Sequence, residues 1–124
     1  MCTILLPIKP EYVNGIINKT KLYEYRKHKC KRNVDKIVIY STSPVGKIIA
    51  EVEVCETISN SPNKLWQETK EYSGISKSKY MEYYKNKDVA FAYKLGKVLV
   101  YDKPKTLKDL GINYYPQSYV YLDY

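Results

Sequence analysis

Apolar and polar residues alternate most regularly between positions 47 and 58, which is the clearest periodic signal in the chain. A repeat of two puts every second side chain on the same face, so this segment predicts a long strand with a polar outer face. Its apolar positions are Ile48, Ala50, Val52 and Val54. The nearly continuous β-branched run at 36–41 precedes it and predicts a strand buried on both faces. A turn at 41–44 separates the two strands.

Shorter signals cover the rest of the chain. Further strands are predicted at 3–8, 20–27, 88–95, 97–101 and 118–122, short helices at 10–18, 62–70 and 76–85, and a helical turn near 107–110. Gly96 is interpreted as the turn of a hairpin between its flanking strands. The basic stretch 28–33 predicts an exposed loop. The expected fold is α+β, a small barrel of about six mostly antiparallel strands flanked by short helices.

Length and composition narrow the class of protein. The chain has 124 residues, so a single domain over 1–124 is expected, and 44% hydrophobic residues are typical of a folded protein. No apolar run approaches the roughly 20 residues of a membrane helix and no signal peptide is predicted, so we expect a cytoplasmic protein without a membrane partner. Three cysteines without paired metal spacing indicate neither a disulfide framework nor a metal site. No cofactor is expected.

Positive charge is concentrated in one segment. The net charge is +8, and eight basic against two acidic side chains between Lys19 and Lys36 place +6 of it in 18 residues. This clustering favours a polyanionic partner. The alternative is a lysine-rich solvated surface that reflects codon usage. Only Arg26 and Arg32 are arginine, the residue that phosphate and base recognition favours.

The start of this basic region resembles the hallmark of the ASCH domain, a PUA-like family. The family pattern is G-x-K-x-x-E-x-R, and residues 19–26 read Lys-Thr-Lys-Leu-Tyr-Glu-Tyr-Arg. The Lys, Glu and Arg match, whereas Lys19 stands in the Gly position. Three further segments resemble the family in the same order: 6–10, 39–44, and Leu65-Trp66 followed by 73–76. The resemblance therefore covers nearly the whole chain.

The resemblance implies a cleft between barrel and helices that is suited to RNA or a modified nucleoside. Lys21, Glu24 and Arg26 would line this cleft, and the basic loop after them would hold phosphates. The residues expected to bind are Thr20, Arg26, Lys27, Lys29, Lys31, Arg32, Tyr40, Ser41, Thr42, Ser43 and Trp66. The alternatives are an ordinary turn for the 41–44 loop and a place in the core for Trp66. Segment 114–119 either borders the cleft or closes the barrel.

An enzymatic alternative follows from the same resemblance. One bacterial branch of the family removes the acetyl group of N4-acetylcytidine with a Lys, a Thr and a Glu. These roles would fall on Lys21, on Glu24 in place of the Thr, and near Glu71. Glu24 or Glu71 would then orient water, and Lys21 would stabilise an oxyanion or protonate the leaving amine. A ribonuclease is a less favoured alternative.

Strand alternation limits how the motif residues can meet. Glu24 and Arg26 share one face of the predicted strand, and Lys21 lies on the opposite face unless it precedes the regular strand. The alternative for Glu24 and Arg26 is a structural ion pair. A third interpretation of the chain is a protein-interaction module that uses a tyrosine-rich surface.

Overall fold

The computed structural model of the chain describes residues 1–122 and consists mainly of β-strands with short helices. The strands are β1 (Thr3–Ile8), β2 (Tyr23–Arg26), β3 (Lys36–Ser41), β4 (Lys47–Asn60), β5 (Ala90–Lys105) and β6 (Val120–Leu122). The helices are α1 (Pro10–Ile17), α2 (Pro62–Thr69) and α3 (Lys77–Tyr83). Two 3-10 turns span Lys70–Tyr72 and Lys108–Leu110. Each predicted helix is present, with ends within two residues of the prediction.

The six strands form one mixed sheet in the order β2-β5-β4-β3-β1-β6. The β1–β3 pair is parallel and the other four pairs are antiparallel, which confirms the prediction of about six mostly antiparallel strands. The predicted barrel is wrong because the sheet stays open. Both edges of β1 are occupied, one by β3 and the other by β6, so β2 finds no strand edge there on which to close the sheet.

A side chain connects β2 to β1, although these two strands are not neighbours in the sheet. Arg26 lies on β2, the first strand of the sheet order, and Pro7 lies on β1, the fifth. Arg26 Nη2 nevertheless donates a hydrogen bond to the carbonyl oxygen of Pro7 over 2.8 Å. The open seam between β2 and β1 is therefore narrow enough for one arginine to span.

The predicted hairpin at Gly96 is wrong, because β5 runs without interruption through this position. β5 pairs with β4 on both sides of Gly96, with Val54 opposite Leu95 and Val52 opposite Val98. A Cβ at Gly96 would lie 2.9 Å from the Sγ of Cys55 on β4. The glycine thus serves a close approach within the sheet instead of a turn.

β3 is covered on both faces, as its continuous apolar run predicts. Ile37 and Ile39 pack in a cluster that includes α1, whereas Val38 and Tyr40 pack in a cluster on the other face. A third cluster joins α2 and α3 to the β2–β5 end of the sheet around the fully buried ring of Tyr80. These clusters fix α1 and α3 beside the seam next to β2.

Residues 1–122 contain neither a membrane-spanning helix nor a cluster of metal-binding side chains. None of the helices there is long and apolar enough to span a bilayer. The same part of the chain contains no group of three or more His, Cys, Asp or Glu side chains that could hold a metal ion.

Candidate functional site

The seam between β2 and β1 opens into a cavity of about 580 Å³, called here the first cavity. The end of β1, α1, the segment that leads into β2, β2 itself and α3 contribute to its walls. The aromatic walls are Tyr12, Tyr25 and Tyr83, and the charged lining residues are Lys9, Lys21, Glu24, Arg26, Lys79 and Glu82. All three matched residues of the motif therefore line one cavity.

Lys21 reaches this cavity because it precedes the regular strand. The predicted strand 20–27 is shorter in the structure and begins at Tyr23, so the alternation that would separate Lys21 from Glu24 does not apply. The Lys21 backbone N–H instead donates to the carbonyl oxygen of Gly15 over 3.0 Å. The end of α1 thus fixes the backbone at Lys21.

The Lys21 side chain is held by three contacts and is only 2% exposed. Nζ donates a hydrogen bond to the carbonyl oxygen of Ser73 over 2.7 Å. It also lies 5.2 Å from the ring centre of Tyr12 and 4.8 Å from that of Tyr25, within the range at which an aromatic face attracts a cation. The ammonium group is therefore positioned before any ligand arrives.

Burial lowers the pKa of the Lys21 amine below its usual value, because the charged form loses hydration. Glu24 opposes this shift with its negative charge, and Arg26 adds to it. An amine with a lowered pKa beside a carboxylate in a cavity is a combination that functional sites often contain. The Ser73 carbonyl and the two tyrosine faces are contacts that favour the protonated form of the amine.

Two residues near Lys21, in space or in sequence, have a positive φ. Gly74 has a φ of +65°, and a Cβ there would lie 2.6 Å from the Cγ and 2.9 Å from the Cδ of Lys21. Only glycine lets this segment pass so close to the lysine stem. Lys19, in the position where the family pattern has Gly, has a φ of +64°. A lysine adopts this left-handed backbone at a cost in conformational energy.

Glu24 and Arg26 form the second part of the site. Arg26 Nη2 lies 3.0 Å from Glu24 Oε2, and Glu24 is 6% exposed. The same nitrogen donates to the carbonyl of Pro7, so both of its N–H groups are engaged. Among residues 1–122, Arg26 Nε is buried without a hydrogen-bond partner. The guanidinium side chain is 21% exposed, which leaves part of it accessible from the cavity that it lines.

A second cavity of about 670 Å³ adjoins the first. The two share Pro7, Lys9 and Arg26 as a common wall. The turn at 42–46 and the segment 115–117 contribute most of the remaining lining. Predicted residues Tyr40, Thr42 and Ser43 line this second cavity and not the first. Ser41 lines neither cavity, since its side chain is buried, and its Oγ has no partner among residues 1–122.

The basic loop, residues 27–33, lies outside both cavities. Lys29, Lys31 and Arg32 are exposed, and the Arg32 guanidinium lies 4.4 Å from the ring centre of Tyr121. Lys27 Nζ lies 4.7 Å from the ring centre of Tyr83, which also lines the first cavity. The loop therefore begins at the rim of the first cavity.

Three other predicted site residues lie away from both cavities. Thr20 is exposed, and its hydroxyl donates to the carbonyl of Gly15 over 3.3 Å. Trp66 is corrected from a base-stacking residue to a core residue, because its indole is buried with its ring centre 4.7 Å from that of Tyr80. Glu71 is exposed and lines neither cavity. Ser73, two residues further on, has a different role, since its backbone carbonyl accepts the hydrogen bond of Lys21 Nζ.

Two residues that line the first cavity, and one that holds Lys21 in place, were not predicted from the sequence. Tyr12 and Tyr83 lie on helices at the spacing of a packing stripe, and that spacing does not distinguish a core ring from a cavity wall. Ser73 contributes a backbone carbonyl, which no side-chain pattern reveals. The one sequence feature that could have predicted Tyr12 as a lining residue is its place on the helix that precedes the Lys-x-x-Glu-x-Arg segment.

The comparison with protein families decides the relationship. A model of the ASCH domain family matches residues 6–99. The chain belongs to the ASCH domain family. This family is PUA-like and linked to RNA binding. The ASCH match includes the whole Lys21–Arg26 segment.

Solved structures agree with the fold of this ASCH domain. The crystal structure of ASCH from Zymomonas mobilis superimposes with a TM-score of 0.89 at 24% identity, covering 98% of this chain and 87% of that one. The N-terminal domain of McrB from Staphylothermus marinus gives a TM-score of 0.53 at 14% identity, covering 87% and 78% of the two chains. At sequence identities this low, the structural similarity shows a shared fold and no more.

Curated relatives of the ASCH domain come from Ureaplasma parvum. ATP synthase subunit alpha is 32% identical over 121 residues, which is 97% of this chain but 15% of that protein. The large ribosomal subunit protein uL22 is 30% identical over 87 residues, 70% of this chain and 28% of that protein. The chain thus spans less than a third of either relative. One region of the chain therefore matches two proteins of different names.

Proposed function

We propose that this ASCH domain binds RNA by holding one nucleotide in the first cavity. The observation that carries the proposal is the set of prepositioned charges in its wall, the buried Lys21 and Glu24 and the partly buried Arg26. The cavity volume of about 580 Å³ lies within the range of small-molecule sites, roughly 300–1,000 Å³. Sequence-specific RNA sites also take unstacked bases between aromatic side chains, for which Tyr12, Tyr25 and Tyr83 are available.

The charges select a base edge that has both a donor and an acceptor. An ionised Glu24 only accepts hydrogen bonds, whereas Lys21 only donates them. All four bases have such an edge: cytosine and adenine offer an amino group beside a ring acceptor, and guanine and uracil offer a ring N–H beside a carbonyl. An acylated or otherwise modified base remains compatible as long as it keeps one N–H donor.

The basic loop supports the proposal in a different way. Its exposed lysines would neutralise phosphates of a bound strand and release counterions without reading the base. Because the loop begins beside Tyr83 at the rim of the first cavity, a strand that enters the cavity passes within its reach.

The test is equilibrium binding of labelled single-stranded RNA to the wild type and to Glu24→Gln, which keeps the shape and removes the charge. We expect Glu24→Gln to lose at least tenfold in affinity, since it removes a charged, buried acceptor worth about 1.5–3 kcal/mol. Glu53→Gln, an exposed carboxylate on β4, is the matched control and should bind like the wild type. Equal affinities of Glu24→Gln and Glu53→Gln would remove the proposed site.

A second candidate function is hydrolysis of an acylated nucleoside in the same cavity. The lowered pKa of the buried Lys21 amine favours it, since an amine nearer neutrality exchanges protons more readily. Incubation with N4-acetylcytidine tests it by release of acetate. Turnover that Lys21→Met abolishes would support this candidate, and absence of turnover by a wild type that binds RNA would dismiss it.

A further inference from the structure

We propose that the second cavity holds the nucleotide next to the one in the first cavity. The ligand is then a strand of at least two linked nucleotides rather than a free nucleoside. This inference rests on the proposed function of the first cavity and extends it to the substrate class.

The shared wall is the first argument. The two cavities meet at Pro7, Lys9 and Arg26, so a linker between two occupants must cross these residues. Two of the three are cationic. In RNA that linker is a phosphodiester with one negative charge, and a partly exposed guanidinium with an exposed ammonium group is a suitable partner for it.

The unused polar groups of the second cavity are the second argument. Thr42, Ser43 and Gln117 line it, and none of their side chains has a hydrogen-bond partner among residues 1–122. Hydroxyl and amide groups both donate and accept, so they can meet a base edge or a ribose of varied identity. Their chemistry differs from the charged pair in the first cavity, which predicts weaker base preference in the second.

The ring of Tyr115 also supports a nucleotide site in the second cavity. It lines the second cavity and is 78% exposed, without a ring partner among the described residues. An exposed aromatic ring at the wall of a cavity offers a face on which a base can stack. The cavity volume of about 670 Å³ is sufficient for a second nucleotide.

Paired ligands of different length test this inference. Calorimetry would measure each of the four ribonucleoside 5′-monophosphates, and then dinucleotides that contain the one that binds best. We expect a dinucleotide to bind at least tenfold more tightly than its monophosphate. Tyr115→Ala should weaken the dinucleotide by roughly five- to a hundred-fold, the range for loss of one stacked base, and leave the monophosphate unchanged.

Controls separate this inference from the proposed function. Tyr114→Ala removes an exposed neighbouring ring that does not line the second cavity, so dinucleotide affinity should be unchanged. Gln117→Ala should weaken the dinucleotide independently of any stacking effect. Equal affinities for both ligand lengths, with Tyr115→Ala and Gln117→Ala both inert, would overturn the second cavity but leave the first. No binding of any monophosphate or dinucleotide, or no effect of Glu24→Gln on a monophosphate that binds, would instead count against the first cavity.

Discussion

Two basic regions adjoin in sequence but differ in almost every physical property. Lys21 and Arg26 line the first cavity, and each has fixed protein partners, Ser73 for one and Glu24 with Pro7 for the other. The basic loop at 27–33 has exposed lysines that lie outside both cavities. Net charge per segment does not distinguish the two. Burial does, because a prepositioned charge of low hydration interacts more strongly with a ligand than a solvated one.

Exchange of Lys21 for Met should give the largest effect. The variant keeps the stem but removes the donor, which leaves Glu24 without its neighbouring ammonium and the Ser73 carbonyl without a partner. We expect RNA affinity to fall by about 2–5 kcal/mol, as for truncation of one member of a buried charged set. Lys29→Met in the basic loop should cost no more than about 1 kcal/mol. Similar losses for both would show that the two regions act alike.

Exchange of Gly74 for Ala tests how Lys21 is positioned. The new Cβ would collide with the Lys21 stem in addition to straining a φ of +65°. We expect a loss of about 2–4 kcal/mol in the free energy of unfolding, which combines overpacking with left-handed strain. Gly111→Ala is the matched control, because its φ is +75° and nothing lies within 4 Å of its Cβ. Urea titration should show the smaller loss there, and equal losses would mean that contact with Lys21 is unimportant.

Replacement of three lysines in the basic loop by a neutral residue should change the salt dependence of RNA binding more than the RNA affinity itself. A variant with Lys27, Lys29 and Lys31 replaced by Gln removes up to three phosphate contacts, each worth about 0.7 in the slope of log affinity against log salt. We expect the slope to decrease by roughly 2, with about tenfold lower affinity at moderate salt. Binding titrations over a range of salt concentrations measure both. An unchanged slope would exclude the loop from phosphate contact.

Alkaline pH should lower the free energy of unfolding through ionisation of Tyr25, which lines the first cavity. Burial raises the pKa of the Tyr25 hydroxyl to about 12, although its hydrogen bond with Thr69 opposes the shift. The unfolded chain ionises near pH 10 and the folded one near 12, so this contribution is complete below pH 10 and is lost as pH rises between the two. By pH 11 the loss should be about 1.4 kcal/mol.

The difference between wild type and Tyr25→Phe isolates this contribution. The lowered pKa of Lys21 acts in the opposite direction, since it makes stability rise with pH, but it is common to both proteins. Urea midpoints across this pH range should fall less steeply for Tyr25→Phe than for the wild type. Tyr114→Phe, at an exposed position, should follow the wild type. Parallel curves for all three would contradict a buried Tyr25 hydroxyl.

The smallest effect is expected at Lys19. Gly at this position relieves a φ of +64° but adds freedom to the unfolded chain, so the net gain in stability should be about 0.5–1 kcal/mol. Thermal unfolding measures it. Lys19 lines neither the first nor the second cavity. We therefore expect a smaller change in RNA affinity than for the variant with Lys27, Lys29 and Lys31 replaced by Gln. Destabilisation would show that the lysine side chain makes a contact that outweighs the strain.

Periodicity predicted the elements whose surroundings are regular. β3 and β4 follow from their apolar patterns, because a buried or half-buried strand imposes its repeat on the sequence. Gly96 misled the prediction for β5, since a glycine required by the approach of Cys55 looks the same in sequence as one in a turn. The barrel prediction failed because strand count alone does not say which edges are already occupied.

The site was predictable where it rests on the motif and not where it rests on irregular backbone. The family resemblance identified Lys21, Glu24 and Arg26 as cleft residues, and all three line the first cavity. Lys21 lies on the same side as Glu24 and Arg26 because β2 begins only at Tyr23, after a residue with left-handed backbone at Lys19. The alternation of side chains along a strand cannot predict this. The division into two cavities depends on the position of Arg26 across the seam, a tertiary contact without a local signal.

The most direct test of the central claim is an NMR titration of the protein with a short single-stranded RNA at two salt concentrations. If the first cavity holds a nucleotide, the largest shifts will occur at backbone amides of β2 and at Tyr12, and they will persist at saturation in high salt. Shifts in the basic loop will be smaller and will fade as salt rises. Shifts confined to residues 27–33 that disappear in high salt, with β2 unchanged, would contradict the claim.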